Sequence, residues 1–111
     1  MFESTHLDAA FSALAHPARR AILARLAESD ATVNELAEPF EMSLPAISRH
    51  IRVLEDAGLI TRSKSAQFRP CSLNPTGLAN VVSWADDYRR IWDARFDKME
   101  TLLTHGKDQT G

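Results

Sequence analysis

The sequence predicts a mainly α fold, five helices with one small two-stranded β-hairpin. Three observations carry that prediction. Apolar residues recur at three- and four-residue spacing through most of the chain, and helix start and stop signals bound each such run. Only residues 59–73 hold paired short stretches of β-branched and apolar residues around a polar turn. A chain of 111 residues suits one domain, residues 1–111, with a single core.

The first helix is expected over residues 6–15, where Leu7, Ala10, Phe11 and Leu14 share one face. His16-Pro17 interrupts it, and Pro17 opens a second helix over residues 17–29, since proline is favoured near the first helical position. That helix buries Ile22, Leu23 and Leu26 and shows Arg19 and Arg25. Thr32-Val33-Asn34-Glu35 fits a capping box, in which the Thr hydroxyl and Glu carboxylate satisfy each other's first-turn amides. It starts a short helix over residues 33–38, which Pro39 ends by disfavouring helical backbone in the residue before it.

After the turn PFEM comes the most informative stretch, SLPAISRHIRVLEDAG at residues 43–58. Ser43 is the N-cap, and Pro45 is tolerated because no helical donor is lost so early. Leu44, Ile47, Ile51 and Leu54 form a stripe that docks on the core. Pro45, Ala46, Ser48, Arg49 and Arg52 face the other way, and Gly58 ends the helix in the left-handed conformation. Two short helices joined by a tight turn, about residues 33–57, make a helix-turn-helix. A second helix with an outer face of Ser and Arg suits the DNA major groove.

Residues 59–65 and 68–73 are the expected strands of a wing, about residues 59–73, with Ser65-Ala66-Gln67 as its turn. Pro70 removes a ladder donor, so its strand is an edge or carries a bulge. Arg62, Lys64 and Arg69, with Gln67 at the tip, are suited to phosphates or the minor groove beside the reading helix. Asn74-Pro75 then starts a long last helix, about residues 75–104, ending before Gly106 with a frayed polar tail. At 1.5 Å per residue it would be about 45 Å long, more than a small domain covers by itself. Its aromatic and apolar band includes Val81, Trp84, Tyr88, Trp92, Phe96, Met99 and Leu103. Burial of that band against a second subunit, with Leu7 and Phe11 of the first helix contributing, predicts a two-fold homodimer.

Charge is distributed in keeping with these placements. The chain as a whole carries −2, but residues 43–70 hold five cations (Arg49, Arg52, Arg62, Lys64 and Arg69) against Glu55 and Asp56, a local +3. The rest is acidic, which disfavours non-specific attachment elsewhere on the surface. Nothing approaches the apolar length of a membrane span, and the N-terminus lacks the basic start and apolar run of a signal peptide, so a cytoplasmic protein is expected.

The order of helices, the segments ALAHPARRAILARL (13–26) and MSLPAISRHIRVLEDAGLI (42–60), the hairpin and the long last helix resemble the ArsR/SmtB family of winged-helix transcriptional regulators. The resemblance covers residues 7–104 and implies a homodimeric DNA-binding repressor, its partners double-stranded DNA and a second copy of itself. On that analogy Ser43, Pro45, Ala46, Ser48, Arg49 and His50 approach bases and phosphates, with the hairpin tip as wing. Many members have Gln after the capping Ser. Leu44 stands there in this chain, so a residue able to read an adenine edge is missing and the operator should differ.

Neither metal site of the family is carried over. Its Cys-x-Cys pair falls on Thr32 and Asn34, neither of which makes a thiolate, and no His lies between Pro75 and Thr104 to form the second site. His6, His16 and His105 lack ligand spacing and read as surface or capping residues. The segment AQFRPC followed by WADDYRRIWDARFDKMETL resembles a metal-independent branch, so no cofactor is expected, and whether a small-molecule effector exists is left open. Two alternatives remain at this point. One is a winged-helix module that binds other proteins. The other is an oxidation-responsive regulator using Cys71, whose pKa Arg69 would lower, although the chain has no second Cys to resolve a sulfenate. Catalysis is not expected: there is no glycine-rich phosphate loop, no carboxylate pair in an apolar setting, and no Ser or Cys with a persuasive base.

Overall fold

In the computed structural model the backbone is described for residues 2–64 and 69–110, and the side chains for residues 6–64 and 69–104. The elements run α1 (Phe2–Leu14), α2 (Pro17–Glu28), α3 (Val33–Ala37), α4 (Leu44–Asp56), β1 (Ile60–Arg62), β2 (Cys71–Leu73) and α5 (Pro75–Thr110). Five helices and a two-stranded antiparallel hairpin are thus present as expected, in the expected order.

Local signals start α2, α3 and α5 where the sequence placed them. His16 Nδ1 accepts the Ala18 amide at 3.1 Å, so this histidine caps α2. The capping box closes at both ends: Glu35 N–H donates to the Thr32 hydroxyl at 3.3 Å, and Thr32 N–H to Glu35 Oε1 at 3.0 Å. Hydrogen bonding from Thr32, its backbone N–H first and then its side chain, holds the Glu35 carboxyl below its usual range. Asn74 Oδ1 accepts the Thr76 amide at 3.2 Å at the start of α5.

The chain divides into two compact units, one up to Val81 and one from Val82 onward. The core of the first unit gathers one face of every element in it. Ala13 from α1, Ile22 from α2, Leu36 from α3, Ile47, Ile51 and Leu54 from α4, and Ile60 and Cys71 from the hairpin are all fully buried. Leu78 and Val81 of α5 pack against this cluster half-buried.

Four features differ from expectation, the first being that α1 begins at Phe2 and not at residue 6. The strands are three residues each, paired Ile60 with Leu73, Thr61 with Ser72 and Arg62 with Cys71. Beyond that point Ser63 N–H donates to the Pro70 carbonyl at 3.0 Å, but Pro70 has no N–H to return, so the ladder stops. On its other edge β2 takes a bridge that sequence patterning did not show: Cys71 N–H donates to Ala31 O at 2.7 Å and Ala31 N–H to Cys71 O at 3.2 Å. Finally, α5 continues through Gly106 to Thr110. A glycine inside a helix costs about 1 kcal/mol relative to alanine, and with no proline after it that is not enough to terminate a long helix.

Candidate nucleic-acid interface

The site is built on α4. Its N-terminus is capped by the Ser43 hydroxyl, which accepts the Ala46 amide at 3.3 Å. Its C-terminus ends in a Schellman motif. Leu59 N–H donates to Leu54 O and Gly58 N–H to Glu55 O, both at 3.0 Å, with Gly58 at φ 76° and the Leu54 and Leu59 side chains fully buried. Asn74 seals this end. Its Nδ2 donates to Gly58 O at 2.8 Å and its own N–H to Leu59 O at 2.9 Å.

Between those ends Ile47, Ile51 and Leu54 are completely buried, which fixes the roll of the helix about its axis. Pro45, Arg49 and Arg52 are exposed on the opposite side, while Ala46 and Ser48 are half-buried at its margins. Leu44 corrects the sequence reading. It belongs to the periodic stripe by spacing, yet it is 47% exposed, because the first turn of α4 extends past the core that the stripe covers.

His50 is held from behind. Its ring packs against that of His16 (centroids 4.4 Å apart, planes at 51°), and its Nδ1 lies 3.2 Å from Arg19 Nη1. Arg19 in turn donates from Nε to Ala13 O at 2.6 Å and from Nη2 to Ser12 O at 3.1 Å. One guanidinium therefore ties α1 and α2 to the middle of α4, a role that patterning alone, with Arg19 on an outer face, does not reveal. Burial pushes the His50 pKa down, and the nearby His16, Arg19 and Arg49 push the same way.

The wing cations separate into two groups. Arg62, on β1, lies with Nε 3.6 Å from Glu55 Oε1 at the end of α4. That Nε is buried and makes no hydrogen bond, so Arg62 braces the hairpin against the helix. Lys64 and Arg69 are exposed. Arg69 adopts φ 47°, a left-handed backbone that is uncommon outside glycine, immediately before Pro70. Gln67 and the expected turn at Ser65-Ala66-Gln67 lie outside the described residues.

Cys71 is fully buried on β2, and burial raises its thiol pKa. The cation acting on it is Arg62, which opposes the rise, and not Arg69 as sequence proximity suggested. A buried, protonated thiol is a poor nucleophile, which counts against the oxidation-responsive alternative.

In the single chain, the residues expected at a subunit interface are largely open. Leu7 and Val81 are half-buried, and Phe11, Trp84, Tyr88, Trp92, Phe96, Met99 and Leu103 are exposed, Trp92 at 54% and Leu103 at 64%. Within the second unit Trp84 tilts against Tyr88 at 4.7 Å and Trp92 stacks on Phe96 at 5.6 Å between ring centroids.

Comparison with known proteins bears on this arrangement. The helix-turn-helix domain family matches residues 14–63. The HTH-type transcriptional regulator Rv2034 of Mycobacterium tuberculosis is 37% identical over 103 residues, which cover 93% of this chain and 94% of that protein. The transcriptional repressor SdpR of Bacillus subtilis is 39% identical over 74 residues, covering 67% of this chain and 82% of SdpR. Among solved structures, the crystal structure of an ArsR family transcriptional regulator matches with a TM-score of 0.72 at 41% identity, over 79% of this chain and 97% of that one.

Proposed function

The chain belongs to the ArsR family of winged-helix transcriptional regulators, and from that premise we infer that it is a DNA-binding repressor that occupies an inverted-repeat operator as a homodimer. The observation that carries this reading is the α4 surface. Three fully buried side chains set the helix, and Arg49 and Arg52 stand exposed opposite them. A guanidinium on a groove-sized helix can bond a guanine edge or a phosphate, and exposed Lys64 and Arg69 on the wing add phosphate contacts beside it. The exposed aromatic band of α5 supports pairing with a second copy, which would place two α4 helices about one DNA turn, about 34 Å, apart. Repression is by occupancy and needs no catalysis. No helix among the described residues is long and apolar enough to cross a membrane, which agrees with a cytoplasmic regulator.

The test is binding of the full-length protein to a duplex carrying its own promoter, across a salt series, with and without divalent metal and oxidant. A dimer neutralising about 6–10 phosphates loses affinity with a steep log–log slope, about 0.9 for each phosphate. Lys64→Ala or Arg69→Ala should flatten that slope by about one unit for each phosphate no longer neutralised and weaken all sequences alike. A shallow slope with no sequence preference would replace the DNA reading with that of a protein-binding winged helix.

A further inference from the structure

The first turn of α4 presents Leu44, Pro45 and Ala46 in succession, and the only hydroxyl beside them, Ser43, already accepts the Ala46 amide at 3.3 Å. Leu44 is the largest of these side chains and the only member of its periodic stripe that the core leaves out: Ile47, Ile51 and Leu54 are at 0% exposure, Leu44 at 47%. Its exposed surface lies at the N-terminal end of the helix, the part of a reading helix that reaches base edges in the major groove. Beyond Leu44 the readable surface turns polar, with Ser48 half-buried and Arg49 exposed one turn on. An apolar side chain has no donor or acceptor to offer a base. The single base-edge feature in the major groove that it can select is the thymine C5-methyl group.

We propose that Leu44 is a specificity-determining residue that packs against a thymine methyl in each operator half-site. The inference rests on the DNA-binding reading above and adds to it the identity of one contacted group. Direct readout is then divided along α4. The capped tip selects a methyl by contact, and Arg49 and Arg52 further along supply hydrogen bonds and charge. Pro45, which has no N–H, keeps a polar main-chain donor away from that apolar contact.

The experiment uses the full-length protein to select duplexes from a randomised pool. Each thymine of the selected half-site is then replaced by uracil, which keeps the pairing and the O4 acceptor and removes only the methyl. For the unaltered chain, one thymine position per half-site should lose about fourfold in affinity, the worth of one buried methyl. With Leu44→Ala, affinity for the thymine duplex should fall and the uracil penalty at that position should disappear, while other positions keep their response. Leu44→Gln, selected afresh from the pool, should move the preference at that position toward adenine, whose N6 and N7 a glutamine can bond together. Helix content by circular dichroism checks that both variants fold. A flat uracil scan, or a Leu44→Ala protein that retains the full penalty, overturns the assignment of Leu44 and leaves DNA binding standing. If no duplex is enriched at all, the DNA-binding reading itself fails and this inference falls with it.

Discussion

Gly77, in the first turn of α5, should be far less tolerant of alanine than Gly58, although only Gly58 has a positive φ. At Gly58, φ is 76°, but a methyl group there would meet nothing within 4 Å. Gly58→Ala therefore costs only what a left-handed backbone demands, about 1–2 kcal/mol. At Gly77 the backbone conformation is ordinary, but a methyl would overlap the Gly58 carbonyl oxygen and lie 2.8 Å from its carbon. No flexible side chain is involved, so the start of α5 must move away from the end of α4. That movement pulls Asn74 Nδ2 off the Gly58 carbonyl, now 2.8 Å away, and loosens the packing around Leu59 and Leu78. Overpacking costs about 1–3 kcal/mol and the broken hydrogen bond about 1 more, while alanine's helix propensity offsets at most about 1. Because the overlapped atoms are backbone and not a flexible side chain, the overpacking lies at the upper end of its range, so Gly77→Ala should destabilise by about 3 kcal/mol, more than Gly58→Ala. Urea denaturation at one fixed protein concentration measures both, since the proposed pairing would make stability concentration-dependent. A Gly77→Ala protein as stable as Gly58→Ala would refute the close approach that locks the reading helix to α5.

Three further outcomes are expected. Arg49→Ala, an exposed substitution that should leave folding unchanged, costs about 1–3 kcal/mol of operator affinity and relaxes preference at one base position; a variant that still separates selected from scrambled duplexes as well as the parent does would remove Arg49 from the reading face. Burial first, and then neighbouring His16, Arg19 and Arg49, lower the His50 pKa in the folded chain, whereas the unfolded chain protonates it near pH 6.5. Its contribution to stability is therefore complete above that pH and is lost as pH falls through its lower folded value. The urea midpoint should drop as pH falls below about 6.5, and His50→Gln should flatten that stretch of the profile; identical profiles would mean that another group titrates there. Trp92→Ala should shift sedimentation from dimer toward single chains while leaving the helical signal largely intact, and a dimer of undiminished strength would place the subunit interface elsewhere.

What the sequence made legible was whatever depends on residues close together along the chain. Ser43, Thr32 with Glu35, Gly58 and Asn74-Pro75 act within one turn of where they stand, so the helix ends they imply are the ones found. The outward placement of Arg49 and Arg52 follows from the same short-range arithmetic. Periodicity gives the angle of a side chain about the helix axis but not how far along the axis the core extends, which is why Leu44 was assigned to the interior and lies half in the open. The pairings that patterning did not show join residues far apart: His50 to Arg19, Arg62 to Glu55, and Cys71 to Ala31. Each depends on how elements stack, which no local pattern encodes.

Those long-range pairings bear on how many copies the operator needs. His50 and Arg62 both look available in the sequence, but each is engaged from inside, the one by Arg19 and His16 and the other by Glu55. The exposed cations left on α4 and the wing, among the described residues, are Arg49, Arg52, Lys64 and Arg69. If each of the four charges, Arg49 included, neutralises one phosphate charge, the log–log salt slope is at most about 3.6 for one copy and about 7 for two, within the range for a regulator making about 6–10 contacts. Because the rest of the chain is acidic enough to leave the whole at −2, other surfaces have little to add. On the proposed dimeric reading, pairing would do more than align two α4 helices with an inverted repeat: it would double the cationic footprint of one copy. A measured slope near about 3.6 for the tight complex would mean that a single copy suffices, and one well above about 7 that groups outside α4 and the described wing residues also take part.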